Sequence, residues 1–410
     1  MRTKTQGKTA AEGRAPESQL ARLKQRTTHL ITDADLLAKL KQGRPLRVKL
    51  GVDPTAPDIH LGISVVLWKL RHFQDLGHQA VLIVGDFTAR IGDPSGRSAT
   101  RPVLSTEAIA RNMESYRDQV FRILDPEQTE FRYNSEWLAP LSFEDLLKLT
   151  SRYTVARLLE RDDFSARFKA NNPISVLEFL YPLAQAYDSV AVQADVELGG
   201  DDQLFNLLAG RDIQERYGQE PQVAVTMPLL EGIDGAKKMS KSYGNYIGIT
   251  EPPNEIYGKL MSIPDVLIEK YLRLLTNLNW DTLKGEHPKT QKQVLARAVV
   301  SLYHHEVAAQ QAEEEFEQVF AQGGRPKEAK RVTISRTTLK AGDTIWIVDL
   351  LEQSGLVSSR SEAKRLIAQG AMELDGRRAD SVDSDVEIKD GMLLRVGKHR
   401  FVELSIAEEQ

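Results

Sequence analysis

The chain has 410 residues, 41% of them hydrophobic and 27% charged, an ordinary globular composition with enough apolar material for about two to four domains. It contains no cysteine, which excludes disulfides and thiolate metal sites, and no apolar run reaches the roughly 18 to 20 residues of a membrane span. A formal net charge of −4 gives no global attraction to nucleic acid, so any RNA contact must come from local patches.

In chain order, residues 1–30 are polar, lack the apolar core of a secretion signal and are expected to form a disordered tail. Residues 31–250 read as an α/β domain. "LRVKLGV" and "AVLIVGDF" are short β-rich runs that lead into Gly/Pro/Asp-rich turns, and "QVAVTMPLL" is a later candidate strand. Between the first two runs, Ile63, Val66, Leu67, Leu70 and Phe73 fall on one helical face, with Gly77 as a stop. His60 stands just before this helix, beside an amide-rich mouth for which phosphate is the natural ligand. Residues 101–182 are mostly helical in pattern and read as an insertion. Strands alternating with helices imply a Rossmann-type, largely parallel sheet. Such sheets bind ligands beyond the carboxyl ends of their strands, where residues 53–60 and 92–97 would lie.

Next comes "GIDGAKKMSKSYGNYIGI", in which Lys238, Lys241 and Ser242 are flanked by Gly232, Gly235 and Gly244. Paired lysines on a mobile, glycine-hinged loop can close over a polyphosphate and neutralise a leaving pyrophosphate. Residues 251–322 read as an α-helical domain. The stretch from 323 to 343 reads as a basic linker; up to Lys340 it carries six basic residues against one acidic. Residues 344–410 form a small α+β unit, with the helical pieces "WIVDLLEQSGL" and "SRSEAKRLIAQG" before the strand-like "AMELDG", "LLRVGKH" and "RFVEL". This unit has nine Lys/Arg against thirteen Asp/Glu, so nucleic-acid binding there needs a basic face. Arg360, Lys364 and Arg365 on one helix, with Arg377 and Arg378 in the following hairpin, are the candidates.

"HLGI" is similar to the HIGH signature, and "KMSKS" matches the second signature, of class I aminoacyl-tRNA synthetases. Within that class the chain resembles the bacterial tyrosyl-tRNA synthetases from about residue 30 onward, with "GVDPTAPDIHLG", "GDFTARIGDPSGR", "YPLAQAYD", "GGDDQ" and "KMSKS" in the family's order and spacing. Tyr181, Gln185 and Asp188 are spaced i, i+4, i+7 and share one face if helical, although Pro182 could bend that helix. The resemblance implies that Tyr181, Gln185 and Asp93 take the substrate's ammonium group and that Asp188 accepts the phenol hydrogen. It adds Asp53, Thr88 and Gln203 to the tyrosine pocket. Gly62, Gly200 and Asp202 match nucleotide contacts, and Arg97 and Arg101 match basic positions that help to hold pyrophosphate. Thr55 and His60 would hold the triphosphate from the helix mouth, while Lys238, Lys241 and Ser242 grip it from the loop. The C-terminal unit resembles an RNA-binding module first known from a ribosomal protein.

The activity so implied is the joining of L-tyrosine to the 3′ end of tRNA(Tyr) through tyrosyl-adenylate. It uses ATP accompanied by Mg²⁺, with no metal held by the protein, in a cytoplasmic homodimer formed through the inserted region. Two positions depart from the family pattern. Ile63 replaces the usual last histidine of the first signature, and Lys49 stands where many relatives have a tyrosine near the substrate hydroxyl. Ile63 also keeps open a catalytically weak paralogue that acts as a structured-RNA-binding protein. A tryptophan-activating enzyme of the same fold is opposed by Asp188.

Overall fold

The computed structural model describes residues 15–53, 58–93, 115–318 and 331–407, apart from positions 341, 358, 380, 398 and 399. They form two units. One comprises residues up to Pro252 together with Lys259–Tyr303; the other comprises Pro253–Gly258 and the chain from His304 onward.

The first unit is built on six strands, β1 (His29–Ile31), β2 (Arg47–Val52), β3 (Gln79–Val84), β4 (Thr129–Tyr133), β5 (Val196–Gly200) and β6 (Val223–Met227), in the order β1-β6-β5-β2-β3-β4. All neighbours are parallel except β1, which runs antiparallel to β6. The inner strands are buried on both faces, as parallel strands covered by helices must be. Val48, Val81, Leu82, Ile83, Val196 and Val223 have no exposed surface.

The helices are α1 (Pro16–Lys24), α2 (Asp33–Lys41), α3 (Leu61–Asp75), α4 (Val176–Ala191) and α5 (Leu204–Arg216). As the sequence predicts, α3 ends at Gly77, whose φ of +90° suits glycine just past a helix. The apolar face of α3 divides its labour. Leu67, Leu70 and Phe73 enter the core, whereas Ile63 and Val66 line a cavity.

Three expectations need correction. The supposed disordered tail contains α1 and β1. Leu23 of α1 is 1% exposed, and the buried Lys69 ammonium donates to the carbonyls of Leu23 and Gln25 at 3.0 and 2.6 Å. So few apolar residues anchor α1 that its sequence reads as polar. The insertion is not uniformly helical either. Four short helices lie between residues 135 and 169, but Thr129–Tyr133 is a strand that extends the main sheet beside β3. "TEFRY" hid it because an edge strand tolerates polar residues that an inner one would not.

Third, the basic linker is partly structured. In the second unit Arg331–Ile334 forms β7, which pairs in parallel with β13 (Arg400–Ile406). The remaining strands are β8 (Thr344–Trp346), β9 (Met372–Leu374), β10 (Arg377–Arg378), β11 (Asp385–Glu387) and β12 (Leu393–Val396). They make a five-stranded sheet, β10-β9-β12-β13-β7, and a β11-β8 pair. Ile334, Ile345, Val348, Leu351, Ile367, Leu394 and Leu404 form its core. The helices of the 251–322 stretch are α6 (Pro253–Ser262), α7 (Ile268–Leu275), α8 (Pro288–Tyr303) and α9 (Glu306–Phe316). Of these, α7 and α8 belong to the first unit and α9 to the second.

Candidate active site

The carboxyl ends of β2 and β5 lie side by side where the strand order changes direction, the usual place for a ligand cleft in an open α/β sheet. A cavity of about 610 Å³ opens there, bounded by Asp53, Thr88, Asp93, Tyr181, Gln185, Asp188 and Gln203 toward one end and by His60, Asp202, Lys238 and Ser242 toward the other. Sequence reasoning singled out all of these. Thr55, Arg97 and Arg101 lie outside the described residues.

Asp53 follows β2 and accepts two hydroxyl hydrogen bonds, from Thr88 at 2.9 Å and Tyr181 at 2.7 Å. A side chain at Gly85 would put its Cβ 2.0 Å from Asp53 Oδ1 and 2.3 Å from the Thr88 oxygen, so only glycine leaves room for this pair. Helix α4 is started by a Ser175/Glu178 capping box and runs through Pro182 without a break. Tyr181, Gln185 and Asp188 accordingly share one face.

Asp188 is 3% exposed. Its Oδ1 accepts from the Trp137 indole at 2.8 Å, and Oδ2 accepts from Asn134 at 3.4 Å; the same Asn134 amide also donates to Thr88 at 3.0 Å. Burial pushes the carboxyl up to about 7, against the opposing pull of the Lys49 charge and these two donors. Neither Trp137 nor Asn134 was visible as a site residue in the sequence, because both come from the inserted region, about 50 positions away.

A relay of side-chain amides extends from Gln185. Its Nε2 donates to Glu197 at 3.1 Å and its Oε1 accepts from Asn206 at 3.0 Å. Asn206 also donates to Gln203 at 3.0 Å, and Gln203 donates to Asp93 at 2.9 Å. Each amide is thereby fixed in one orientation.

Lys49 does not line this cavity. It is fully buried and pairs with the equally buried Glu197 at 2.9 Å, while donating to the Gln185 carbonyl at 2.8 Å and to Ser189 at 2.7 Å. One ammonium thus ties β2 and β5 to the helix that carries the tyrosine-site candidates. We predict that Lys49→Met alone lowers stability by about 3 to 5 kcal/mol, because it strands the Glu197 charge, and that adding Glu197→Gln, which removes the charge and keeps an acceptor for Gln185, restores part of the loss. Denaturant midpoints of the single and double variants test this; equal losses in both would refute it.

At the other end, His60 caps α3 by its backbone alone. A Cβ at Gly62 would come within 3.0 Å of His60 Nδ1, so glycine lets the ring fold back over the helix mouth. Burial, then the charges of Lys241 and Lys238, push the imidazole down to about 4; the ring is neutral near pH 7, with a buried Nδ1 that has no hydrogen-bond partner among the described residues. Lys238 pairs with Asp202 at 2.7 Å, and Lys241 with Asp58. Asp58 lies within the "GVDPTAPDIHLG" stretch, but sequence reasoning gave it no role.

The lysine loop is better anchored than its glycines suggest. Met239 N donates to the Leu230 carbonyl, Gly232 N to that of Lys237, and Ser240 N to the Asn245 side chain. The buried Asn245 amide returns bonds to Asp234 and to the Lys238 carbonyl. Just beyond, Leu61 N donates to the Ile247 carbonyl and Ile249 N to that of Ile59, each at 2.9 Å, which fastens the loop's exit to the His60 turn.

In the second unit, the proposed basic residues are all exposed. Arg360 on α11 (Arg360–Ala368), which follows α10 (Ile347–Gln353), is held by Asp349 and Glu352. Arg378 approaches Glu373 at 3.5 Å, and the Lys364 ammonium sits 5.6 Å from the Trp346 ring centre. Arg365 and Arg377 have no ion-pair partner among the described residues.

Residues 41–321 match the family described as tRNA synthetases class I (W and Y), and residues 345–391 match the S4 domain. Over 96% of its length the chain is 54% identical to the tyrosine–tRNA ligase of Thermotoga maritima, covering 98% of that protein. It is 51% identical over 94% of its length to that of Moorella thermoacetica, covering 95% of it. Among solved structures, a C-terminally truncated mitochondrial tyrosyl-tRNA synthetase from Aspergillus nidulans superposes with a TM-score of 0.61 at 21% identity, over 75% of this chain and 94% of that one. A tyrosyl-tRNA synthetase from Archaeoglobus fulgidus, complexed with L-tyrosine, gives 0.59 at 23% identity, over 73% and 99%. With its cleft at the carboxyl ends of β2 and β5 and relatives matched over nearly the whole length, the chain belongs to the tyrosyl-tRNA synthetase family of class I.

Proposed function

We infer that the protein is a tyrosine–tRNA ligase that works in two steps. The tyrosine carboxylate attacks the α-phosphorus of ATP, the bond to the bridging oxygen breaks, and pyrophosphate leaves with the electron pair. The terminal ribose hydroxyl of tRNA(Tyr) then takes the tyrosyl group and AMP leaves. The first step needs no general base, since the attacking carboxylate is already ionised; catalysis there is positioning and charge stabilisation. The observation that carries the reading is Asp188, a buried carboxylate aimed into the slot and held by Trp137 and Asn134. A phenol hydroxyl satisfies it; a phenyl ring would leave it without that partner.

Under this proposal Tyr181, Gln185 and Asp93 receive the ammonium group, and Asp53, Thr88 and Gln203 hold the residues that do so. Gly200 and Asp202 meet the ribose, and Gly62 leaves backbone room for phosphate. Thr55, His60, Lys238, Lys241 and Ser242, helped by Arg97 and Arg101, take the triphosphate. Mg²⁺ would come with ATP through phosphate oxygens, neutralising part of their charge. The carboxylates at that mouth, Asp58 and Asp202, are already engaged by lysines, which fits a metal bound by the nucleotide. The deciding experiment is tyrosine-dependent exchange of labelled pyrophosphate into ATP without RNA. Exchange with tyrosine and not with phenylalanine or tryptophan is expected; its absence would end the reading.

The second unit would serve the tRNA, with Arg365 and Arg377 as its least encumbered cations, joined by Arg360, Lys364 and Arg378 as RNA displaces their acidic neighbours. Because β7 pairs with β13, a truncation should fall before Arg331 and not near Lys340. The shortened chain is expected to keep pyrophosphate exchange and to lose most tRNA charging. Lost exchange in a still-folded truncation would contradict this division of labour.

A homodimer is supported by apolar side chains exposed along the inserted region. Phe143 is 75% exposed, Val176 77% and Phe168 62%, and Leu147 follows Phe143 on the same helical face. A cytoplasmic location is consistent with the absence, among the described residues, of any helix long and apolar enough to cross a membrane.

A further inference from the structure

Two residues that line the cavity each carry a buried polar atom with no hydrogen-bond partner among the described residues, His60 Nδ1 and the Tyr116 hydroxyl. The triphosphate role proposed above accounts for the first. Nothing so far accounts for the second. Tyr116 is 4% exposed, and phenylalanine would fill the same volume without burying an unsatisfied oxygen. Buried hydroxyls in folded proteins are almost always paired, so an orphan on a cavity wall marks a place where a ligand supplies the missing partner.

Its position narrows the choice of partner. Gln119, three residues further along the same helical stretch, accepts a hydrogen bond from the backbone of Ile59 at 2.7 Å, which docks this stretch against the turn that carries His60. Burial, reinforced by the Asp53 charge, holds the phenol well above its ordinary range, so it remains protonated and acts as a neutral donor. Asp53 already accepts from Tyr181 and Thr88. Tyr116 thus lines the cavity on a helical stretch tied to the turn of the phosphate mouth, and its phenol feels the Asp53 charge of the amino-acid slot. Two kinds of anionic oxygen arrive there. The carboxylate loses its charge as it becomes an anhydride, whereas the α-phosphoryl group remains anionic through the transition state and in the adenylate.

We propose that the Tyr116 hydroxyl contacts substrate directly, donating a hydrogen bond to a non-bridging α-phosphoryl oxygen of ATP during adenylate formation. This rests on the tyrosine-activation reading above. A fixed neutral donor aimed at that oxygen needs no reorganisation as the phosphorus is attacked, and it adds no cation beside Asp53.

Tyr116→Phe in the full-length protein is the test, read by tyrosine-dependent pyrophosphate exchange, by tyrosine binding without ATP, and by thermal unfolding. Loss of one hydrogen bond to a charged group should lower kcat for exchange by roughly ten- to a hundredfold. Tyrosine affinity should be unchanged and the unfolding temperature equal or higher. Unchanged exchange in Tyr116→Phe beside an active wild type would overturn the proposal. Weakened tyrosine binding at constant kcat would also overturn it, by moving the contact to the carboxylate. A destabilised variant would do the same, because it would show that the hydroxyl has a partner within the protein. Failure of the wild type to exchange at all would instead sink the tyrosine-activation reading on which the proposal stands.

Discussion

Asp188→Ala is expected to collapse tyrosine activation and erase the preference for tyrosine over phenylalanine. The cause is asymmetric. A buried acceptor fixed by Trp137 and Asn134 rewards a hydroxyl and is left unpaired by a plain ring. Sites of this kind discriminate by about 10⁴- to 10⁵-fold, a magnitude taken from enzymes of this same class and not from the geometry. The raised carboxyl adds a pH signature. With a folded-state value of about 7 against an ordinary value of 3.8, Asp188 holds a proton that the unfolded chain has already lost between those limits. Its contribution to stability therefore falls as pH rises through that window and is constant outside it. Tyrosine favours the ionised acceptor, so KM for tyrosine should fall as pH rises toward and past 7, then level off. In Asp188→Asn the profile should be flat. Near-normal selectivity in Asp188→Ala would show that the phenol is read elsewhere.

The second large effect concerns the phosphate mouth. His60→Ala and Lys241→Ala should each slow exchange by about 2 to 4 kcal/mol of transition-state stabilisation, roughly 30- to 1000-fold, and leave tyrosine affinity almost untouched. The two act differently. Lys241 brings a full charge, which Asp58 balances in the absence of nucleotide. His60 in the nucleotide-free protein is neutral near pH 7, so kcat/KM, which reports the free enzyme, should show no titration of this ring above about pH 5. Ile63 faces the cavity, so Ile63→His could reach nucleotide, yet one added neutral hydrogen bond is worth only about 0.5 to 1.5 kcal/mol. A change of at most about tenfold in KM for ATP is expected. Exchange kinetics of the three variants decide the matter. A silent wild type rescued by Ile63→His would mean that the natural site is disabled.

What the sequence disclosed and what it withheld divide along physical lines. His60 with Gly62, the Lys238–Ser242 run and the Tyr181/Gln185/Asp188 face are each encoded within a few residues, so the family's short motifs expose them by resemblance. The support beneath them is not. Lys49 meets Glu197, Trp137 meets Asp188, and Lys241 meets Asp58 only after folding joins distant segments. Strand β5 was overlooked for a related reason. Its "VELGG" places a charged Glu197 in a buried strand, which looks wrong until Lys49 is across from it. Strand β7 was concealed by its basic neighbours, and α1 by how little of it is apolar.

The stem of the lysine loop has a mechanical consequence. Contacts from Leu230 to Asn245 pin the base, and the bonds of residues 59–61 with 247–249 tie its exit to the His60 turn. Among the described residues, the backbone hydrogen bonds of the short tip from Lys241 to Gly244 stay within the tip and Ser240. Under the proposed function, the cations would reach the nucleotide by a swing of two lysine side chains from resident carboxylates to arriving phosphates. The protein works here like a thumb and finger already hinged together, whose grip depends on reach more than on travel.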